Sequence, residues 1–107
     1  MNKVIRDGNV AVLYSPDYGA GWYSWHHDKE LLFSPEIVSI IETFDDYDVR
    51  YDKIMEYMAE NYPDVYAGGA RNLEIEWLPE GEVFEIREYD GYESIITLAN
   101  MNDWLIA

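Results

Sequence analysis

Hydrophobic and polar positions change their period along the chain, and those changes mark its elements. Residues 3–6 and 9–15 flank Asp7-Gly8, a pair suited to the positive-φ positions of a tight hairpin turn. Val10, Ala11, Val12 and Leu13 form an unbroken apolar run, the pattern of a strand covered on both faces. Residues 15–28 lose any period and are rich in glycine and aromatics, which predicts a loop. Ser34, Pro35 and Glu36 then supply an N-cap, a first-turn proline and a dipole-matched acid. Ile37, Ile40, Ile41 and Phe44 fall on one helical face, and the acidic stretch from Asp45 to Asp48 is expected to end that helix.

A second helix is predicted over residues 51–61, with Ile54, Tyr57, Met58 and Tyr62 on one face and Pro63 closing it. Beyond it the period drops to two. Leu73, Ile75 and Trp77 alternate with polar residues, and Pro79-Glu80-Gly81 makes a turn. Residues 83–89 and 93–98 read as strands joined at Asp90-Gly91. Met101, Trp104, Leu105 and Ile106 are expected to pack back onto the body. The expectation is one α+β domain over residues 1–107: an antiparallel sheet of about four to five strands with two helices packed on one face.

Composition narrows what such a domain can do. With 107 residues, half of them hydrophobic, and ten Tyr, four Trp and three Phe, the chain can fill a core and is not an acidic disordered tail. So many aromatics also leave some for a homo-oligomeric interface. There is no cysteine, which removes disulfides, thiolate catalysis and cysteine zinc sites, and suits a reducing cytoplasm. No signal peptide or membrane helix is expected. Twenty-two acids against seven bases give a net charge of −15. It is carried by the later two-thirds of the chain, and such a field repels nucleic acid and anionic membranes while steering basic partners.

Catalytic chemistry finds little footing. His26-His27-Asp28 are neighbours rather than ligands at metal-site spacing, and read as surface loop residues. Glu74, Glu76 and Glu85 could pair on a sheet face, but carboxylate pairs arise by chance in so acidic a chain. No nucleophile elbow or phosphate loop is present. No enzyme activity, metal or cofactor is expected.

Binding has more to work with. Tyr18, Gly19, Gly21, Trp22, Tyr23 and Trp25 cluster in one segment, and Gly68, Gly69 and Arg71 in another. Glycines let a backbone approach a ligand, flat rings stack on a base, and an arginine fork suits an anionic or carbonyl group. The two segments together are a candidate ligand pocket. The competing reading assigns the glycines to turns and the aromatics to the core. A separate candidate is an acidic partner surface of Asp45, Asp46, Asp48, Asp52, Glu56, Glu74, Glu76 and Glu85, whose carboxylates could imitate a phosphate backbone.

The segments GAGWYSW (19–25), ELLFSPEIV (30–38) and GGARNLEIEWLPEGEVFEIREYDGYESI (68–95) resemble a group of small uncharacterised proteins encoded in phage and prophage genomes. That resemblance implies a setting, a phage accessory protein in the bacterial cytoplasm that antagonises a host defence system. It transfers no residue roles. Within that setting the first expectation is sequestration of a small nucleotide-like molecule in the glycine, aromatic and arginine pocket. The alternative is an acidic, nucleic-acid-mimicking inhibitor of a basic host defence protein. A virion or assembly role has no feature pointing to it.

Overall fold

A computed structural model describes residues 2–98. The C-terminal residues expected to pack back onto the body lie outside the described residues. Strands β1 (Ile5–Arg6) and β2 (Asn9–Tyr14) form the first hairpin, and both turn residues take positive φ, 51° at Asp7 and 78° at Gly8. Strand β3 (Glu74–Pro79) pairs antiparallel with the other edge of β2, giving the order β1-β2-β3. The register sets Ala11 opposite Trp77 and Leu13 opposite Ile75, while Val10 faces Leu78 and Val12 faces Glu76.

That alternation explains the unbroken apolar run. Ala11 and Leu13 join Ile37, Val38 and Ile41 of helix α3 (Pro35–Thr43) and Ile54 and Met58 of helix α4 (Tyr47–Asn61) in one core. On the opposite face Val10, Val12 and Leu78 pack with Leu32 and Phe33. Phe84 and Ile86 of strand β4 (Phe84–Tyr89) and Ile95 of strand β5 (Tyr92–Thr97) cover that second core.

The expected single sheet is therefore corrected: among the described residues, five strands form two antiparallel sheets, β1-β2-β3 and β4-β5. The physical reason is the second apolar face of β2, which a sheet covered on one side would leave in water. The chain reverses after Pro79, with Gly81 at a φ of 85°, and the β4–β5 hairpin becomes the missing layer.

The Ser34 hydroxyl accepts a hydrogen bond from the Ile37 N–H at 3.3 Å, with Pro35 in the first turn. α4 starts earlier than expected. The Asp46 carboxylate accepts from the N–H groups of Asp48 at 2.8 Å and Val49 at 3.1 Å, so the acids that end α3 also cap α4. The Arg50 side chain donates to the Phe44 carbonyl and closes the bend between them. Two single-turn helices interrupt the aromatic region, α1 (Tyr23–His26) and α2 (Lys29–Leu32). The turn between them uses His27 at a φ of 60° and Asp28 as a cap on the Glu30 N–H. No helix of the described residues is long and apolar enough to cross a membrane.

Candidate functional site

The two glycine segments, distant in sequence, meet in space. Gly69 lies in a 3₁₀ helix (Gly68–Asn72), and a Cβ placed on it would come 2.4 Å from the Gly21 carbonyl oxygen. On the other side of the same loop, a Cβ on Gly91 would lie 2.6 Å from the Ala20 nitrogen. The loop of Gly19, Ala20 and Gly21 is thus held between the 3₁₀ helix and the β4–β5 turn. The Gly19 N–H donates to the Asp90 carbonyl at 2.9 Å, fixing the second contact.

Beneath this loop sits Glu93, fully buried. Its Oε1 accepts from the Ser15 N–H at 2.8 Å. Its Oε2 accepts from the Ser24 N–H at 2.8 Å and the Ser24 hydroxyl at 2.6 Å. The Glu93 N–H also donates to the Ser15 carbonyl at 2.8 Å, and the Ser15 hydroxyl donates to the Ala20 carbonyl. One carboxylate therefore ties β5 to both ends of the aromatic loop. The sequence pattern makes Glu93 the start of a strand and one more acid of the exposed surface; its burial corrects that, and no local signal marks it.

Around this clamp lies an open cleft of about 300 Å³, lined by Tyr18, Gly19, Tyr66, Gly68, Arg71 and Asn72, with Ser15 and Ala20 behind them. Five of the nine pocket candidates therefore line it: Tyr18, Gly19, Gly68, Gly69 and Arg71. The remaining four do not. Trp22 is fully buried in the main core, its indole N–H donating to the Leu31 carbonyl at 3.0 Å. Gly21 is buried against Ser24 and Trp25. Tyr23 lines a different groove, beside Phe33 and Phe84. Trp25 stands beside the cleft, stacked on Tyr66 with centroids 5.6 Å apart, its N–H donating to Glu88 at 2.7 Å. Tyr66 is the wall the candidate set omitted. Its hydroxyl lies over Gly68, and only a glycine leaves room for it there.

Arg71 is exposed. Its guanidinium lies 4.0 Å from the Tyr51 ring centroid and 3.5 Å from an Asp48 carboxylate oxygen. A stacked guanidinium with one long ion pair keeps most of its five N–H donors for another acceptor. The cleft thus offers flat rings, an arginine fork and exposed backbone, which is recognition chemistry.

The fold sets most of the acidic candidates on α4, its approach and the neighbouring β3, and Glu85 in the opposite layer. Asp46 is used as a cap, Asp48 faces Arg71, and Glu56 lies 3.8 Å from Lys53. Glu74 accepts from the Tyr47 hydroxyl, and Glu85 pairs with Arg87 at 2.6 Å. Asp45, Asp52 and Glu76 are exposed, with no ion pair among the described residues. Because α4 and β4 cover opposite faces of the three-stranded sheet, Asp52 and Glu56 lie in a different layer from Glu85.

His26 is not a surface loop residue. Its Nδ1 accepts from the Asp28 N–H at 2.9 Å, and its ring stands edge-on to Trp22 at 4.7 Å. Nε2 is buried without a hydrogen-bond partner among the described residues. Burial pulls its pKa down to about 4, against a smaller upward pull from Asp28. A histidine depressed below its unfolded value of 6.5 stabilises the fold fully above pH 6.5, and that stability is lost as pH falls towards 4. Discounted for partial exposure, the loss is about 1–2 kcal/mol. Urea unfolding at pH 7 and pH 4.5 should show a smaller fall for His26→Gln than for the wild type; equal falls would place the titration elsewhere. Among the described residues no group of three or more His, Asp or Glu side chains is gathered to hold a metal ion.

No family model matches the chain, and neither does any curated protein or solved structure.

Proposed function

We propose that the chain is a non-enzymatic binding protein that holds a small planar, nucleotide-like molecule in the cleft between Tyr18 and Arg71. The observation carrying this reading is the convergence of the two glycine segments around an open cleft with tyrosine walls and an arginine at its rim. A ring would stack on Tyr66 or Tyr18, and a phosphate or carbonyl group would meet Arg71 and Asn72. At about 300 Å³ the cleft is at the lower end for ligand sites, so the ligand is of mononucleotide size. The resemblance to phage and prophage proteins supplies the setting, removal of an immune signal in a bacterial cytoplasm.

Mass spectrometry of small molecules released by heat, followed by calorimetry with mono- and cyclic nucleotides, tests this directly. Arg71→Ala should weaken binding about tenfold or more while barely changing stability, since the Asp48 pair is exposed. Unchanged affinity would remove Arg71 from the site, and with it this reading.

A second reading, an acidic inhibitor of a basic protein, is favoured by one feature. Tyr89 is 76% exposed and Tyr92 39%, beside the carboxylates of Glu88 and Asp90. Exposed tyrosines within an acidic rim suit a basic protein partner. Binding that survives Arg71→Ala and falls steeply with salt would select it.

A further inference from the structure

The seven bases of this acidic chain are mostly neutralised. Arg6 grips Glu42 at 2.5 and 2.8 Å, Arg71 faces Asp48, Arg87 holds Glu85 and Lys53 lies near Glu56. Arg50 is spent on the Phe44 carbonyl. Lys3 and Lys29 have no carboxylate within ion-pair distance among the described residues, and both line the same groove, of about 540 Å³. The groove runs between the end of α2 and strand β4, with Tyr23, Leu32, Phe33, Phe84 and Ile86 as its apolar walls. Phe33 and Phe84 meet edge to face at 6.3 Å, and the Lys3 ammonium lies 4.4 Å from the Phe33 centroid. Phe84 and Ile86 remain half-buried, so the β4–β5 hairpin does not close over this side of the second core. Glu85, the one carboxylate in the lining, is held by Arg87 at 2.6 Å.

We infer that this groove is a second ligand site, taking an amphiphile with a straight aliphatic chain and a single carboxylate head, of the medium-chain fatty-acid class. The apolar walls would take the chain, each methylene removed from water tightening binding about fourfold. Two ammonium groups are compact point donors without the planar fork of arginine, which suits a lone carboxylate at the groove mouth. The field of this acidic chain repels such an anion, and the two lysines, without an ion pair among the described residues, offset it at this groove.

The test is an NMR titration of the ¹⁵N-labelled full chain with decanoate below micelle formation, with 1-decanol and decylammonium as comparators. Decanoate should saturate, shifting amides at Lys3, Lys29, Leu32, Phe84 and Ile86. Decanol should bind about tenfold more weakly and decylammonium more weakly still. Exchanging both exposed lysines (Lys3→Gln with Lys29→Gln) should cost decanoate about tenfold and leave decanol unchanged, in a folded spectrum. Equal binding of decanoate and decanol, no saturable shift, or shifts gathered around Tyr18 and Tyr66 would each overturn the inference. The first two of those outcomes do not bear on nucleotide binding at the other cleft, and only the third would involve it.

Discussion

Glu93→Ala should destabilise the protein by about 3–5 kcal/mol, the largest effect expected of any single substitution here. Three donors converge on this fully buried carboxylate, the N–H groups of Ser15 and Ser24 and the Ser24 hydroxyl. Alanine leaves all three without their acceptor, at the buried Ser15 and the half-buried Ser24, which costs more than the hydrogen bonds contributed. For a domain of this size the thermal midpoint should fall by more than about 12 °C. Ser24→Ala removes only one donor and should cost about 1 kcal/mol. Glu93→Gln keeps one acceptor but turns an NH₂ towards N–H donors, and should fall between the two. A Glu93→Ala midpoint within a few degrees of the wild type would mean that water enters the site and satisfies the serines.

Gly69→Ala should cost about 2–3 kcal/mol by forcing apart two backbones. The added carbon would sit 2.4 Å from the Gly21 oxygen and 2.8 Å from the Trp22 nitrogen, and neither is the end of a flexible side chain. Gly19→Ala is the informative control. Nothing lies within 4 Å of its new Cβ, so only the φ of 118° resists it, at about 1–2 kcal/mol. The two should also differ in ligand binding, because Gly69→Ala displaces one wall of the cleft from the other. Denaturant midpoints and the amide shifts of residues 19–22 would separate them. Matching costs with unmoved shifts would show that the two segments are not in van der Waals contact.

Where local chemistry decides local structure, the chain was readable. Asp7-Gly8 and Asp90-Gly91 both form turns with two positive-φ residues, and Ser34-Pro35 opens a helix as its capping chemistry requires. The four apolar residues from Val10 to Leu13 correctly implied burial on both faces, yet nothing in their pattern said what the second cover would be. That cover is the β4–β5 hairpin, which is why one expected sheet became two. The pattern makes the acids from Asp45 to Asp48 the end of α3 and part of an acidic surface, although an aspartate before a helical run is equally a cap.

The candidate site was half legible for a similar reason. Glycines and rings in two segments signalled a close approach, and the approach exists between Gly69 and Gly21. Composition does not distinguish a glycine that admits a ligand from one that admits another stretch of backbone. Trp22 went to the core because its N–H found the Leu31 carbonyl, a pairing set by the α1–α2 bend rather than by any motif. Glu93 was invisible because its partners are two backbone N–H groups and one serine hydroxyl, 69 and 78 residues away.

The clamp on the loop of Gly19, Ala20 and Gly21 also sets when the cleft can take shape during synthesis. The loop is made early, but it is anchored by Gly69, Asp90, Gly91 and Glu93, which leave the ribosome much later. A nascent chain that lacks the β4–β5 hairpin has no finished cleft. The shape of that cleft is thereby tied to completion of β5.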